Sequence, residues 1–315
     1  MLPSRRNGQP VAAACSGGVL TGPMVLKRIV TAAVLMPVVI ALVLWAPTWA
    51  VTLAIAAVIL VALAEFFALG AEIGQRAYRF WTGACALALV YAQWLWAQMK
   101  LVPLAGGVTL RGTPWSAVLS RPPQLHDIFF LFVLGICALS IFARRPLVET
   151  VPAAGISASA LLLVAFPLSF AIRIHGEGQF GPRLLLFALV VIWVSDSLAY
   201  FVGKAIGRTK LAPRLSPQKT WEGTAASLAG ALLVGFLSTR WIPVPAGHLL
   251  AMAVAANIAG QLGDAAESAY KRSAGVKDSG SLLPGHGGLL DRIDGLILAI
   301  PVVWYYWHLL LAPFD

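Results

Sequence analysis

At 315 residues, with 59% hydrophobic and only 11% charged residues and a mean hydropathy of +0.82, the chain is far more apolar than a soluble domain, in which roughly a quarter of residues are charged. A hydrocarbon layer about 30 Å thick takes about 20 apolar residues per helical crossing, and lipid offers the backbone no hydrogen-bond partners, so the long apolar runs predict helices. The net charge of +10 is spread over short segments between those runs, which leaves no separate domain to carry a nucleic-acid groove or recognition helix. Cys15, Cys85 and Cys137 have neither CxxC spacing nor clustered histidines, so neither a disulfide framework nor a zinc site is expected.

Residues 1–23 are rich in Gly, Ala, Ser and Pro and lack apolar periodicity, which predicts a disordered extension. Met24 directly precedes the first apolar run and is a second candidate start; that run is longer than a signal-peptide core and reads as an uncleaved first helix. Nine spans are expected, at 29–46, 50–69, 80–98, 127–143, 151–172, 184–203, 224–241, 247–265 and 290–310. With the N-terminus inside, 17 of the 23 Lys and Arg fall on the inner side, as the excess of basic residues in cytoplasmic loops requires. The expected architecture is an all-α polytopic membrane bundle in an inner (cytoplasmic) membrane, with a scaffold at 24–183 and a catalytic region at 184–315. The N-terminal spans are expected to supply a lipid-facing scaffold or the surface of a homodimer. Glu65, in the second span, has no assigned role at this stage.

Nine basic residues cluster in the inner segments after the sixth and eighth spans, and seven of the 13 carboxylates lie between Asp196 and Asp294. A carboxylate within a membrane helix is costly and usually faces a bundle interior or an aqueous cavity. Asp196, Asp264 and Asp291 sit at inner span ends, which points to a shared cytoplasmic cavity. Asp264, Glu267, Ser268 and Lys271 recur at helical spacing on one face, and Asp291 and Asp294 are three apart. Hard oxygen donors of this kind suit Mg²⁺, which keeps waters and substrate phosphates in its shell. An ion-paired set such as Glu267 with Lys271, knitting helices together, remains an open alternative.

The segment from Gly203 to Gly223 carries Lys204, Lys210, Ser216, Lys219, Thr220 and Glu222 and leads into a helix, whose N-terminus favours anions. It is not a Walker loop, and a solvated basic loop beside anionic headgroups is the plainer alternative. In the stretch from Ser268 to Asp294, Pro284, Gly285, His286, Gly287 and Gly288 predict a turn that brings backbone close to a ligand just before Asp291. Gly176, Gly178 and Gly181 spell GxGxxG outside any βαβ context, and no GxSxG elbow is present.

Ser268, Lys271, Arg272, Lys277, Asp278, Pro284, His286, Gly287, Gly288, Asp291, Arg292 and Asp294 together resemble the signature of the phosphatidate cytidylyltransferase (CDP-diacylglycerol synthase) family. The preceding segment is similar to the same family through Asp196, Ser197, Tyr200, Gly203, Lys210, Ser216, Pro217, Lys219, Thr220, Glu222 and Gly223. Tyr270 and Ala265 depart from its usual residues and bear on packing rather than chemistry. The resemblance is specific over about 190–300 and implies cytidylyl transfer from CTP to phosphatidate, yielding CDP-diacylglycerol and pyrophosphate with Mg²⁺ and a second cation as candidate cofactors. It implies metal binding by Asp196, Asp264 and Asp291, and phosphate contacts from Lys210, Lys219, Lys271 and Arg272. His286 with Gly287 and Gly288 would shape the nucleotide pocket; Lys204, Ser216, Thr220 and Glu222 join the nucleotide-binding set, and Asp278 and Arg292 the catalytic one. Competing readings are a transporter, which would place its carboxylates near the midplane, and a CTP-dependent lipid kinase or a cytidylyltransferase acting on another lipid phosphate.

Overall fold

The computed structural model describes residues 35–101, 123–213, 215–280, 282 and 287–311. The expected disorder of 1–23, the start of the first span, and the turn at Pro284, Gly285 and His286 lie outside these residues. The described chain is a helical bundle: α1 Leu35–Trp45, α2 Thr48–Glu72, α3 Arg79–Leu101, α4 Leu125–Phe142, α5 Leu147–Ala160, α6 Phe166–His175, α7 Gly181–Ile206, α8 Trp221–Ser238, α9 Ala246–Ser273 and α10 Leu290–Leu310. A π-helical turn, Leu161–Ala165, joins α5 to α6, so that Leu147–His175 is one continuous helix.

Six helices are long and apolar enough to cross a membrane by length and composition: α2, α4, the continuous α5–α6, α7, α9 and α10. The expected count of nine is therefore not reached among the described residues. The other three spans do coincide with helices, but the described part of α1 is short. In α3, Gln93 and Gln98 interrupt the apolar run, and α8 is built largely of Gly, Ala, Ser and Thr in place of large aliphatics. Among the described residues, the one element outside the all-α expectation is a hairpin between α7 and α8, β1 Lys210–Ala212 against β2 Ser216–Thr220, antiparallel, with Lys210 opposite Thr220.

Small residues set how closely the C-terminal helices approach, as is usual where apolar lipid provides no hydrophobic drive between helices. A Cβ at Gly263 of α9 would lie 2.5 Å from the Asp294 carbonyl oxygen of α10, and one at Gly260 would lie 3.3 Å from the Gly295 carbonyl. Between α8 and α9, the buried Asn257 donates to Ser227 Oγ at 2.7 Å and accepts from Gln261 at 2.8 Å, satisfying polar groups that lipid could not. At the end of the bundle where α6 finishes, the Arg173 guanidinium lies over Trp96 at 4.7 Å and Trp304 at 5.0 Å and donates to Gln93. These aromatic faces match its charge.

The seam at Gly263 predicts a specific loss. Gly263→Val drives a branched side chain into the α10 backbone, and overpacking of this kind costs about 1–3 kcal/mol in unfolding measurements in detergent. Gly247→Ala in the same helix meets no atom within 4 Å and should leave stability within about 0.5 kcal/mol of the parent.

Candidate active site

The directions of the helices bring their polar residues to one end. Asp196 and Tyr200 lie in the C-terminal half of α7, Asp264 to Lys271 in that of α9, Glu65 in that of α2, and Asp291 and Asp294 begin α10. α9 runs to Ser273, past the expected end at 265, so Asp264, Glu267, Ser268 and Lys271 do share one helical face. Ser268 Oγ lies 3.5 Å from Asp264 Oδ1.

Two charge clusters result. In the first, Asp196, Asp264 and Asp294 lie within electrostatic reach of one another. The absence of side chains at Gly263 and Gly295 allows this convergence, since Gly295 leaves room for Ile192 of α7, one turn before Asp196, and Gly263 for the α10 backbone at Asp294. Lys219, from β2, reaches across to Asp264 Oδ2 at 2.6 Å. In the second, Lys271 Nζ lies 2.5 Å from Glu267 Oε2 and 2.6 Å from Asp291 Oδ1. The ion pair left open on sequence grounds is therefore formed, and it extends to a second helix. The backbone N–H groups of Ser279 and Gly288 donate to Asp291 Oδ2 at 3.0 and 2.8 Å.

Asp291 is thus engaged by Lys271 and two amides, while the carboxylate beside Asp196 and Asp264 is Asp294. Among the described residues no three His, Cys, Asp or Glu converge closely enough to hold a metal ion by themselves. Mg²⁺ commonly takes only one or two carboxylates and fills its shell with water and substrate phosphates, so Asp196 and Asp264 fit that ion by donor chemistry.

The basic segment after α7 is ordered by its own contacts. Thr220 caps α8, its Oγ1 accepting from Gly223 N at 3.2 Å, and Trp221 N donates to the Thr209 carbonyl at 3.0 Å. Glu222 accepts from Thr209 N at 3.1 Å, closing the hairpin base. Lys204 lies 5.7 Å from the centre of the Tyr200 ring. Lys210 is exposed on β1, and Ser216, opposite Ala212, is half-buried. Arg272 donates to the Leu215 and Val276 carbonyls at 3.3 and 2.9 Å, tying the end of α9 to the hairpin. Lys277, Asp278 and Arg292 are exposed at the same end. His286 lies outside the described residues. Gly287 adopts φ +81°, in the region that favours glycine, and a Cβ there would lie 2.7 Å from Asp291 Oδ2. A Cβ at Gly288 would collide with Glu65 and Ser279.

The residue that sequence reasoning left without a role is Glu65. It is buried and accepts from Ser279 Oγ, Leu289 N and Leu290 N at 3.0, 2.9 and 2.8 Å. The available signal was a carboxylate in an otherwise apolar span, which marks a protein-facing position but not its partner.

The sequence matches the family model described as "Cytidylyltransferase family" over residues 26–310, nearly the whole chain. The chain belongs to the cytidylyltransferase family. Among its relatives, a protein of Brucella abortus named phosphatidate cytidylyltransferase is 33% identical over 245 residues, covering 76% of this chain and 88% of the relative. The phosphatidate cytidylyltransferase of Thermotoga maritima is 38% identical over 205 residues, covering 62% and 73%. That of Bacillus subtilis is 42% identical over 158 residues, covering 50% and 57%. Family membership is thus established well beyond the two polar motifs, and the N-terminal helices that contribute Glu65 fall within the matched range.

Lys271 is the keystone of the second cluster. Lys271→Met removes the cation between Glu267 and Asp291 and leaves two buried carboxylates facing each other. Breaking a buried pair in this way costs about 3–5 kcal/mol, to be read as a lowered unfolding midpoint. Lys219→Met, at the more exposed pair with Asp264, should change stability by no more than about 1 kcal/mol.

Proposed function

We infer that this chain catalyses CTP-dependent cytidylyl transfer to phosphatidate, forming CDP-diacylglycerol and pyrophosphate in phospholipid synthesis. The observation that carries the reading is the convergence of both family motifs, through α7, the hairpin, α9 and α10, on one polar end of an otherwise apolar bundle.

The chemistry asks for charge control more than for a base. Phosphatidate is a phosphate monoester whose second pKa is about 6, so its attacking oxygen is largely ionised at neutral pH. That oxygen forms a bond to the α-phosphorus of CTP as the bond to the bridging oxygen of the leaving pyrophosphate breaks. Two anions must be brought together and a third released, a task for fixed positive charge placed in line. Lys219 is held beside Asp264 and Lys271 beside Asp291, so each ammonium is fixed in place at the edge of the carboxylate cluster. Lys210 and Arg272 stand on the hairpin and at the end of α9 as further phosphate partners. Asp196 and Asp264 would hold Mg²⁺, which supplies charge neutralisation on the phosphates. Asp294 lies behind them, and Asp291 borders the site from the Lys271 side.

The lipid substrate finds a route from the side. A small cleft with room for about 50 Å³ is lined by Phe66, Leu163, Val164, Tyr270, Leu290 and Leu298 and reaches Glu267, the partner of Lys271. Its apolar walls offer contact to a short stretch of acyl chain, with the headgroup at the charged end. The excess of Lys and Arg at this end of the bundle supports a site on the cytoplasmic face of an inner membrane. A transporter reading is less well supported, because the helices that carry these carboxylates, α7, α9 and α10, are each continuous, whereas a transporter site is typically built on broken helices.

Asp264→Asn tests the assignment. Pyrophosphate release that depends on both CTP and phosphatidate should fall at least about a hundredfold while the protein remains folded in detergent. Chelation of divalent ions should abolish it in the parent. Near-normal turnover in the variant would remove Asp264 from the site.

A further inference from the structure

Glu65 lies on α2, outside both motifs, more than 200 positions from the segment it touches. α10 begins without a local cap: its N-cap residue is Leu289, which has no side chain able to accept a hydrogen bond. The first N–H groups of a helix have no partner within the helix and must find one elsewhere. Glu65 supplies it. Its Oε1 accepts from Leu289 N and its Oε2 from Leu290 N, so the carboxylate caps α10 from a different helix and places a negative charge at the positive end of its dipole.

The same carboxylate reaches the other end of the segment. Oε2 also accepts from Ser279 Oγ, while Ser279 N donates to Asp291. Ser279 is therefore held by its side chain to Glu65 and by its backbone to Asp291. Gly288 N donates to Asp291 next to the two amides held by Glu65. Gly280 and Gly288 leave the space that the Glu65 carboxylate fills. The edge-to-face contact of Phe66 with Tyr270, centroids 5.7 Å apart, fixes α2 against α9 beside it.

We propose that Glu65 is a positioning residue for the transfer reaction: it caps α10 across the bundle and, through Ser279 and the Leu289 and Leu290 amides, fixes Asp291 and its partner Lys271 relative to the phosphates. This rests on the reading of the site given above. Glu65 has no contact with substrate in this role; it transmits the register of the N-terminal helices to the charged end. Both of its oxygens accept, and a glutamine has only one acceptor and turns an NH₂ toward a backbone N–H, so Glu65→Gln must break at least one of the two caps. Glu65→Asp keeps two acceptors on a shorter stem.

The test combines steady-state kinetics with amide hydrogen exchange on the full-length protein in detergent. Glu65→Gln should lower kcat at least about tenfold with the KM for CTP changed less than about threefold, since misplacement of a catalytic group acts chiefly on the transition state. Glu65→Asp should recover part of the loss. Ser279→Ala, which removes one of three donors, should lower kcat by about two- to fivefold. Exchange should quicken in peptides covering 279–292 and stay unchanged in α4 and α8. Unaltered kcat in Glu65→Gln beside an active parent would overturn the proposal. So would a loss of kcat with exchange raised throughout the bundle, or with exchange in 279–292 unchanged. An inactive parent would instead contradict the transfer reaction, while the exchange pattern would still report on the cap.

Discussion

Lys271 sits between two carboxylates on two helices, 2.5 Å from Glu267 and 2.6 Å from Asp291, and the site depends on that bridge. A membrane bundle has little hydrophobic drive holding its helices together, so a buried charge network contributes orientation as well as attraction. One cation here fixes the rotation of α9 against the first turn of α10. With that rotation set, Asp264 faces Asp196 and Asp294, and Lys219 reaches Asp264 from the hairpin. Removing one member would leave the others buried without compensation, which is why the cluster behaves as a unit.

Close backbone approach is the second requirement. Gly263 and Gly295 let α7, α9 and α10 meet where their carboxylates project, and Gly287 and Gly288 let the chain fold tightly over Asp291 and Glu65. These glycines flank the acidic residues at Asp264, Asp291 and Asp294 in sequence. Charge and the small residues that admit it are placed side by side, so that a polar end can form on helices whose outer faces are apolar.

Much of this was legible in the sequence. The apolar runs located every described helix to within a few residues, apart from the extension of α9, and the spacing of Asp264, Glu267, Ser268 and Lys271 foretold one shared face. The hairpin was not legible: a three-residue strand ended by Pro213 and a five-residue strand containing Pro217 leave no alternating pattern to read, and the loop signals dominated. The partner of Asp291 was not legible either. Asp291 and Asp294 have the same local spacing to their neighbours, and only the packing of α9 on α10 decides that Lys271 meets the first and that the second lies beside Asp264 and Asp196. Glu65 was visible as an anomaly, but two of its three partners are backbone amides, which carry no residue-specific signal, and the third is the hydroxyl of Ser279, more than 200 positions away.

The most direct test of the central claim follows the phosphorus of CTP. Purified protein with phosphatidate and Mg²⁺ is given CTP labelled at either the α- or the γ-phosphate, and the lipid phase is counted. The account predicts label in the lipid from α-labelled CTP only, recovered as a CMP group on phosphatidate. Label entering from the γ-position would make the chain a lipid kinase, and no label from either position in a folded, metal-supplied sample would contradict group transfer at this site.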